Sequence, residues 1–238
     1  LLSTAALADE TTVPCVDGQH KETYGEPNCT VCGEPLRAAV SWWDHGSVGG
    51  YYTEIKNAFE DAKLHTDSGV VPYSITLLED AKLDGSVEVG NRIQLYLDGH
   101  TLTLVPGGDA QSAIRVPAGR KLVVREGSPS GGKIVVAPAE STADWVAGIE
   151  LAGGEVELDS VELSVADPYS GSAECSAVRM TGSVGNVFNM DWASVLSGEG
   201  SYAVIADGSG PEVSLDIKDE KTYGRIKITE NYPGSVRL

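Results

Sequence analysis

From Ser74 almost to the C-terminus, apolar and polar residues alternate with a period of two, the pattern of half-buried strands. Just upstream the period changes. In YYTEIKNAFEDAKLHT, residues 51–66, Tyr52, Ile55, Phe59 and Ala62 fall on one stripe of a helix. Gly49 and Gly50 precede that stretch, and Asp67-Ser68-Gly69 ends it, so one amphipathic helix is predicted there. Residues 9–38 follow neither period; they are polar, carry Pro and Gly, and hold three of the four cysteines.

The alternating region repeats. IQLYLDGHTLTL (93–104), KLVVREGSPSGGKIVV (121–136), EVELDSVELSV (155–165), VFNMDWASVLS (187–197) and VSLDIKDEKTYGRIKI (213–228) each read as a strand, a polar break and a second strand. Four of them neighbour a further strand ending in a Gly-containing turn: AIRVPAG, AGIELAGG, SAVRMTGS and YAVIADGS. Aligning Leu97, Val124, Leu158, Met190 and Leu215 gives steps of 27, 34, 32 and 25 residues. Three strands per step fit one round of a parallel solenoid, whose rounds stack by backbone hydrogen bonds. A β-sandwich also has many short strands, but it favours hairpin turns of the Asn-Gly type, which are few here. The expected fold is therefore all-β, a single-stranded right-handed parallel β-helix over residues 74–238, with residues 39–73 as linker and N-terminal capping α-helix. A solenoid exposes the apolar end of its first round, and an amphipathic helix is a natural lid.

The helix, followed by SITLLEDAKL (74–83) and LYLDGHTLTL (95–104), resembles secreted right-handed β-helix proteins of anaerobic gut bacteria, in the broad pectin-lyase-like superfamily. The resemblance extends over residues 50–230, and its motifs are fold signatures. It implies a fold, export and a polysaccharide-rich setting; it carries no reaction. Polygalacturonase-type enzymes on that fold combine Asn-x-Asp, Asp-Asp, Gly-His-Gly and Arg-Ile-Lys. This chain has Asn189-Met190-Asp191 and Arg225-Ile226-Lys227 and lacks the other two.

Charge narrows the partners. Lys and Arg total 17 against 35 Asp and Glu, a formal net charge of −18, which repels phosphate backbones and anionic lipid heads. Nucleic acid is therefore not an expected partner. Membrane insertion is not expected either, because no apolar run approaches the roughly 20 residues of a span. Residues 1–8, ending Ala6-Leu7-Ala8, read as a signal-peptide remnant, so a secreted or cell-surface location is expected. At the other end Ser235-Val236-Arg237-Leu238 reads as a strand beginning, and further coils or another domain are expected beyond it.

Two candidate sites stand out. In the alignment Asp98, Arg125, Asp159, Asp191 and Asp216 take neighbouring positions on successive rounds, a stack able to bind Ca²⁺ or an acidic sugar. The competing reading makes each Asp a turn residue that satisfies its own backbone, with Arg125 relieving like charges. Of the indoles, Trp145 is the candidate sugar platform; Trp42 and Trp43 are expected to pack against the first round. The candidate ligand-binding set is Asp98, Arg125, Asp159, Asp191 and Trp145. His100, in the first of these turns, is expected to cap a backbone group.

The second site lies in CVDGQHKETYGEPNCTVCGEP. Cys29-Thr30-Val31-Cys32-Gly33 has knuckle spacing, and Cys15 with His20 completes a Cys3His set suited to tetrahedral Zn²⁺. So short a stretch has little core and needs a staple. Disulfides are the rival in an exported protein, although they would require Cys175, which otherwise reads as a buried apolar residue. Short Cys/His modules ending in CxxCG are similar to structural units appended to secreted proteins of the same bacteria. The expected function is an exported, non-catalytic cell-surface or extracellular module, structural or glycan-adhering. The alternative is a lyase or glycoside hydrolase acting on acidic polysaccharide.

Overall fold

The computed structural model describes residues 15–16, 19–21, 28–42, 47–64, 73–127, 131–181, 185–207, 213–217 and 225–228. The expected signal remnant and the expected strand start at 235–238 lie outside them. The described chain begins with an antiparallel pair, β1 (Ala38–Trp42) and β2 (Ser47–Tyr52), followed by one helix, α1 (Ile55–Leu64). Residues 73–88 then set the pattern for everything after: three short strands, each feeding a different sheet.

The first such round is β3 (Tyr73–Leu77), β4 (Ala81–Asp84) and β5 (Val87–Glu88). The second is β6 (Arg92–Tyr96), β7 (Thr101–Val105) and β8 (Ser112–Pro117). The third is β9 (Lys121–Arg125), β10 (Lys133–Val136) and β11 (Trp145–Ala152). The fourth is β12 (Glu155–Asp159), β13 (Glu162–Val165) and β14 (Glu174–Thr181). The fifth is β15 (Asn186–Asp191), β16 (Ser194–Leu196) and β17 (Ser201–Ala206), and β18 (Val213–Ile217) with β19 (Ile226–Ile228) follow. From β3 to β18 every third strand pairs in parallel, β19 joins β17 in parallel, and β1 and β2 add antiparallel, giving sheets ordered β18-β15-β12-β9-β6-β3-β1-β2, β16-β13-β10-β7-β4 and β19-β17-β14-β11-β8-β5. The protein is thus predominantly β with parallel sheets, an arrangement compatible with a β-helix-like solenoid.

Alternation puts one face of every strand inside, and the register stacks like on like. Ile75, Leu95, Val124, Leu158 and Met190 form one inward row of the first sheet, all at most 2% exposed. Leu102, Ile134, Leu163 and Val195 line the second sheet, and Ile114, Ile149, Val178 and Val204 the third. Burying one such aliphatic side chain stabilises by roughly 1.5–3 kcal/mol. The interior is tight where β11 passes β10: a Cβ on Gly148 would sit 2.3 Å from a Val136 methyl, so only glycine fits there.

The alignment of apolar positions differs from the observed register at both ends. Val124 stacks on Leu95, two residues before Leu97, and Met190 stacks on Ile217, two residues after Leu215. The helix also starts later than the apolar stripe predicts. Tyr51 and Tyr52 belong to β2, paired with Ala39 and Ala38, so residues 39–73 contribute two strands as well as the helix. Their aromatic rings suit a strand, and β1 offers them one.

Ile55, Ala58, Phe59 and Ala62 are the buried face of α1. The helix packs on β1 and β2 and across β3, β4 and β5, the first-round strands of the three sheets. It therefore covers the apolar end that the first round would expose. Phe59 is fully buried there. Phe59→Ala is expected to destabilise the protein by about 3–5 kcal/mol, read as a lower urea midpoint.

Candidate functional site

The strongest candidate lies upstream of β1. Among the described residues, one group of side chains could hold a metal ion: Cys15, His20, Cys29 and Cys32, whose ligand atoms all lie within 4.8 Å of one another. Local backbone chemistry builds it. Gly33 adopts φ 78°, which glycine tolerates, and its N–H donates to the Cys29 carbonyl at 2.8 Å, closing the knuckle. Cys29 N–H in turn donates to the Glu34 carbonyl at 2.8 Å, and Asn28 bridges Pro35, so the loop is clamped at its base. Thr30 N–H donates to the Lys21 carbonyl at 2.9 Å and brings the His20 segment alongside.

The resulting distances fit one ion. Cys15 Sγ lies 3.8 Å from Cys29 Sγ, and Cys32 Sγ lies 3.4 Å from His20 Nδ1. A tetrahedron with Zn–S bonds of about 2.3 Å has S···S edges of about 3.8 Å. A disulfide needs about 2.0 Å between sulfurs. All four cysteines are free thiols. Cys175 is fully buried in β14, where burial pushes its thiol up to about 12, as expected of a small apolar residue.

The thiols differ electrostatically. Burial opposes the Cys29 thiolate, but N–H donors of Lys21, Cys32 and Val31, with His20, bring its pKa down to about 5. Lys21 and Val31 donate to its sulfur at 3.4 and 3.5 Å. Cys32 is also lowered, chiefly by the Glu34 N–H. Cys15 is pushed up to about 11 by burial and by the neighbouring thiols. The site is thus partly ionised before any cation arrives, and the cation would remove the remaining proton.

The other candidate residues do not converge. Arg125, Asp159 and Asp191 stand in register on β9, β12 and β15 and point outward as expected. Tyr96, not Asp98, completes their row, and Asp216 pairs with Asn189. Asp98 sits in the turn after β6 with φ 50°. Arg125 lies 3.4 Å from Glu157 and 3.7 Å from Asp159, while Lys121 holds Glu155 and Glu157 at 2.5 and 2.9 Å. Trp145 lies on the third sheet, where the Arg179 guanidinium covers its ring at 4.6 Å. His100 faces Asp80 at 3.9 Å, and the Asp80 carboxylate accepts the Thr101 N–H at 2.8 Å. The Asn189/Asp191 pair and the Arg225/Lys227 pair belong to different sheets, and Arg225 stacks on Tyr202.

The third sheet carries charges that spacing alone does not reveal. Glu88, Arg115, Glu150 and Arg179 stand side by side in register, alternating in sign. Ser112 and Thr181 donate hydroxyl hydrogen bonds to Glu150 at 2.9 and 2.8 Å. Arg179 is 5% exposed at its side chain and pairs with Glu174 and Asp207; Lys227 also reaches Glu174. Only the three-dimensional register brings these residues together.

No protein-family model, curated protein or solved structure matches this chain. Among the described residues no helix is long and apolar enough to cross a membrane.

Two outcomes follow from these charges. Titrating the metal-free protein with Zn²⁺ at pH 7 should bind one ion per chain and release the Cys15 proton, visible as buffer-dependent heat; Cys29→Ser should weaken binding at least about ten-fold. The second concerns acid. Burial opposes ionisation of Glu157 and Glu174, but Lys121 and Arg125 hold the first below its usual 4.5, and Lys227 and Arg179 hold the second below it. The unfolded chain then takes up these protons more readily, so the stabilisation is complete above about pH 4.5 and drains as pH falls through the folded values. Glu157→Gln with Glu174→Gln should lower stability at pH 7 by roughly 1 kcal/mol for each pair and flatten the acid limb of the melting curve.

Proposed function

We propose that this chain is an exported, non-catalytic extracellular or cell-surface module. In this reading it is a single-stranded right-handed parallel β-helix of the pectin-lyase-like kind, capped by α1. A small Zn²⁺-held Cys/His module at residues 9–38 is attached at the capped end.

One observation carries the non-catalytic reading. Glu155, Glu157 and Asp159 on the first sheet and Glu150 and Glu174 on the third are engaged along ladders with Lys121, Arg125, Arg115 and Arg179 rather than gathered opposite a base. A hydrolase of this kind needs two carboxyl groups facing each other across a scissile bond, one kept protonated. A lyase needs a cation held by carboxylates and a base beside it. The ladders supply neither.

The choice of zinc rests on ligand chemistry. Three sulfurs and one imidazole suit Zn²⁺ better than the hard cations, which prefer oxygen. Four protein ligands close the coordination sphere and leave no position for substrate, so the role is structural. The unit is tied to β2 and to the first round: Arg37 N–H donates to the Tyr52 carbonyl at 2.8 Å, and its side chain donates to the Asp80 carbonyl in the turn after β3 at 2.9 Å. Polysaccharide is the partner this setting favours.

Incubation of the zinc-loaded protein with polygalacturonate and with neutral polysaccharides should release neither reducing ends nor unsaturated, ultraviolet-absorbing ends. Product formation that disappears on substitution of Asp159 or Asp191 would establish the lyase or hydrolase alternative instead.

A further inference from the structure

Successive rounds bend from the first sheet into the second at Gly131-Gly132, Ser160-Val161 and Trp192-Ala193. An open groove of about 430 Å³ runs past these three bends, lined by Gly132, Lys133, Ser160, Glu162, Trp192 and Ser194 among others. Ser160 and Trp192 both hold left-handed backbone, φ 60° and 54°. That conformation is costly for a bulky residue and is met where the surroundings or a function require it.

Trp192 is 76% exposed, more than any other aromatic among the described residues. Its indole has no hydrogen bond, ion or ring partner there, in contrast to Trp145 beneath Arg179. The rim is polar and mixed. Lys133 and Glu162 are neighbours in register, and Glu162 is followed by Ser194. A flat apolar face beside hydroxyl, ammonium and carboxylate groups is complementary to a pyranose, whose ring pairs a C–H face with an edge of hydroxyls.

We infer that this groove binds a neutral pyranose chain, with one sugar stacked on Trp192 and its hydroxyls meeting Ser160, Ser194, Lys133 and Glu162. The inference rests on the non-catalytic extracellular reading and gives it a ligand. Neutrality follows from charge: one cation and one carboxylate on the rim cancel, and a net charge of −18 repels polyanions. Three bends span two strand spacings, about 10 Å, so the groove accommodates more than one sugar unit along the stack.

The test is affinity electrophoresis of the intact, zinc-loaded protein through gels containing hydroxyethylcellulose, glucomannan or soluble β-glucan, with polygalacturonate as the charged control. At least one neutral polysaccharide should retard the parent protein, and polygalacturonate should not. Trp192→Ala should weaken the retarding interaction about ten-fold, while Trp145→Ala should leave it unchanged. Trp192→Gly, whose residue accepts φ above zero without strain, secures the reading if the alanine variant loses its circular-dichroism spectrum. Retardation of neither kind, or equal retardation of the parent and the folded Trp192 variants, overturns the proposal. Assaying the same polysaccharides for released ends separates the two claims. Products with Trp192-dependent binding sink the non-catalytic reading alone; no products and no binding sink the groove alone.

Discussion

Every outward and inward feature of this protein depends on parallel in-register stacking of successive rounds. Leu95 over Ile75, Val124 over Leu95, Leu158 over Val124 and Met190 over Leu158 make a continuous apolar row because each strand repeats the phase of the last. A slip of one residue would turn that row to solvent and drive Lys121, Glu157 and Asp159 inward. Shape and charge are therefore set by one constraint. The same register that buries Val124 and Leu158 places Arg125 beside Asp159, and the register that buries Ile114 and Ile149 places Arg115 beside Glu150.

The stack also explains how a chain with twice as many acids as bases remains compact. Like charges directly across a strand pair are destabilising, and a random distribution of 35 carboxylates would create many such pairs. Here several cations stand on rungs where carboxylates gather, although Asp159 and Asp191 still face each other across β12 and β15. Lys121 serves two glutamates, Arg179 serves Glu174 and Asp207, and Lys227 adds to Glu174. Lys121 and Arg179 thereby each neutralise two neighbours, and the remaining acidity is left facing water, where it is screened.

Much of this was legible from sequence, and the exceptions have physical causes. Period-two alternation and the five-fold repeat are enough to expect stacked short strands, and Ile55, Phe59 and Ala62 are enough to expect a covering helix. Register at the ends is not fixed by the same signal. Leu95 and Leu97 are both apolar and both face inward, so a shift of two residues preserves the pattern; bend length decides, and bend length carries no hydrophobic signature. That is why Asp98 lies one step out of the row that Arg125, Asp159 and Asp191 share. In Ser47–Tyr52 the Gly-Gly pair hides a strand that exists only because β1 is there to pair with it. The cysteine cluster was readable because its ligand spacing is local. The Trp192 groove was not, since nothing in the letters marks a tryptophan as left-handed.

The two ends of the repeat have different needs, and the N-terminal sequence answers those of the first round twice over. A parallel stack leaves both apolar side chains and unpaired strand edges at its end. Helix α1 covers the side chains of β3, β4 and β5, but a helix cannot complete a strand's hydrogen bonds. β1 does so by pairing antiparallel with β3, from Ala38 against Leu77 to Trp42 against Tyr73. An antiparallel strand closes the ladder without inviting another round, and β2, with Gly49 and Gly50 in it, is a poor template for continuing the sheet. The cysteine unit then follows logically from its position. It precedes β1 directly, and Arg37 links it to both β2 and the turn after β3. A metal held by Cys15, His20, Cys29 and Cys32 would thus fix the start of the very strand that terminates the stack, so that holding this short unit together also holds the cap in place.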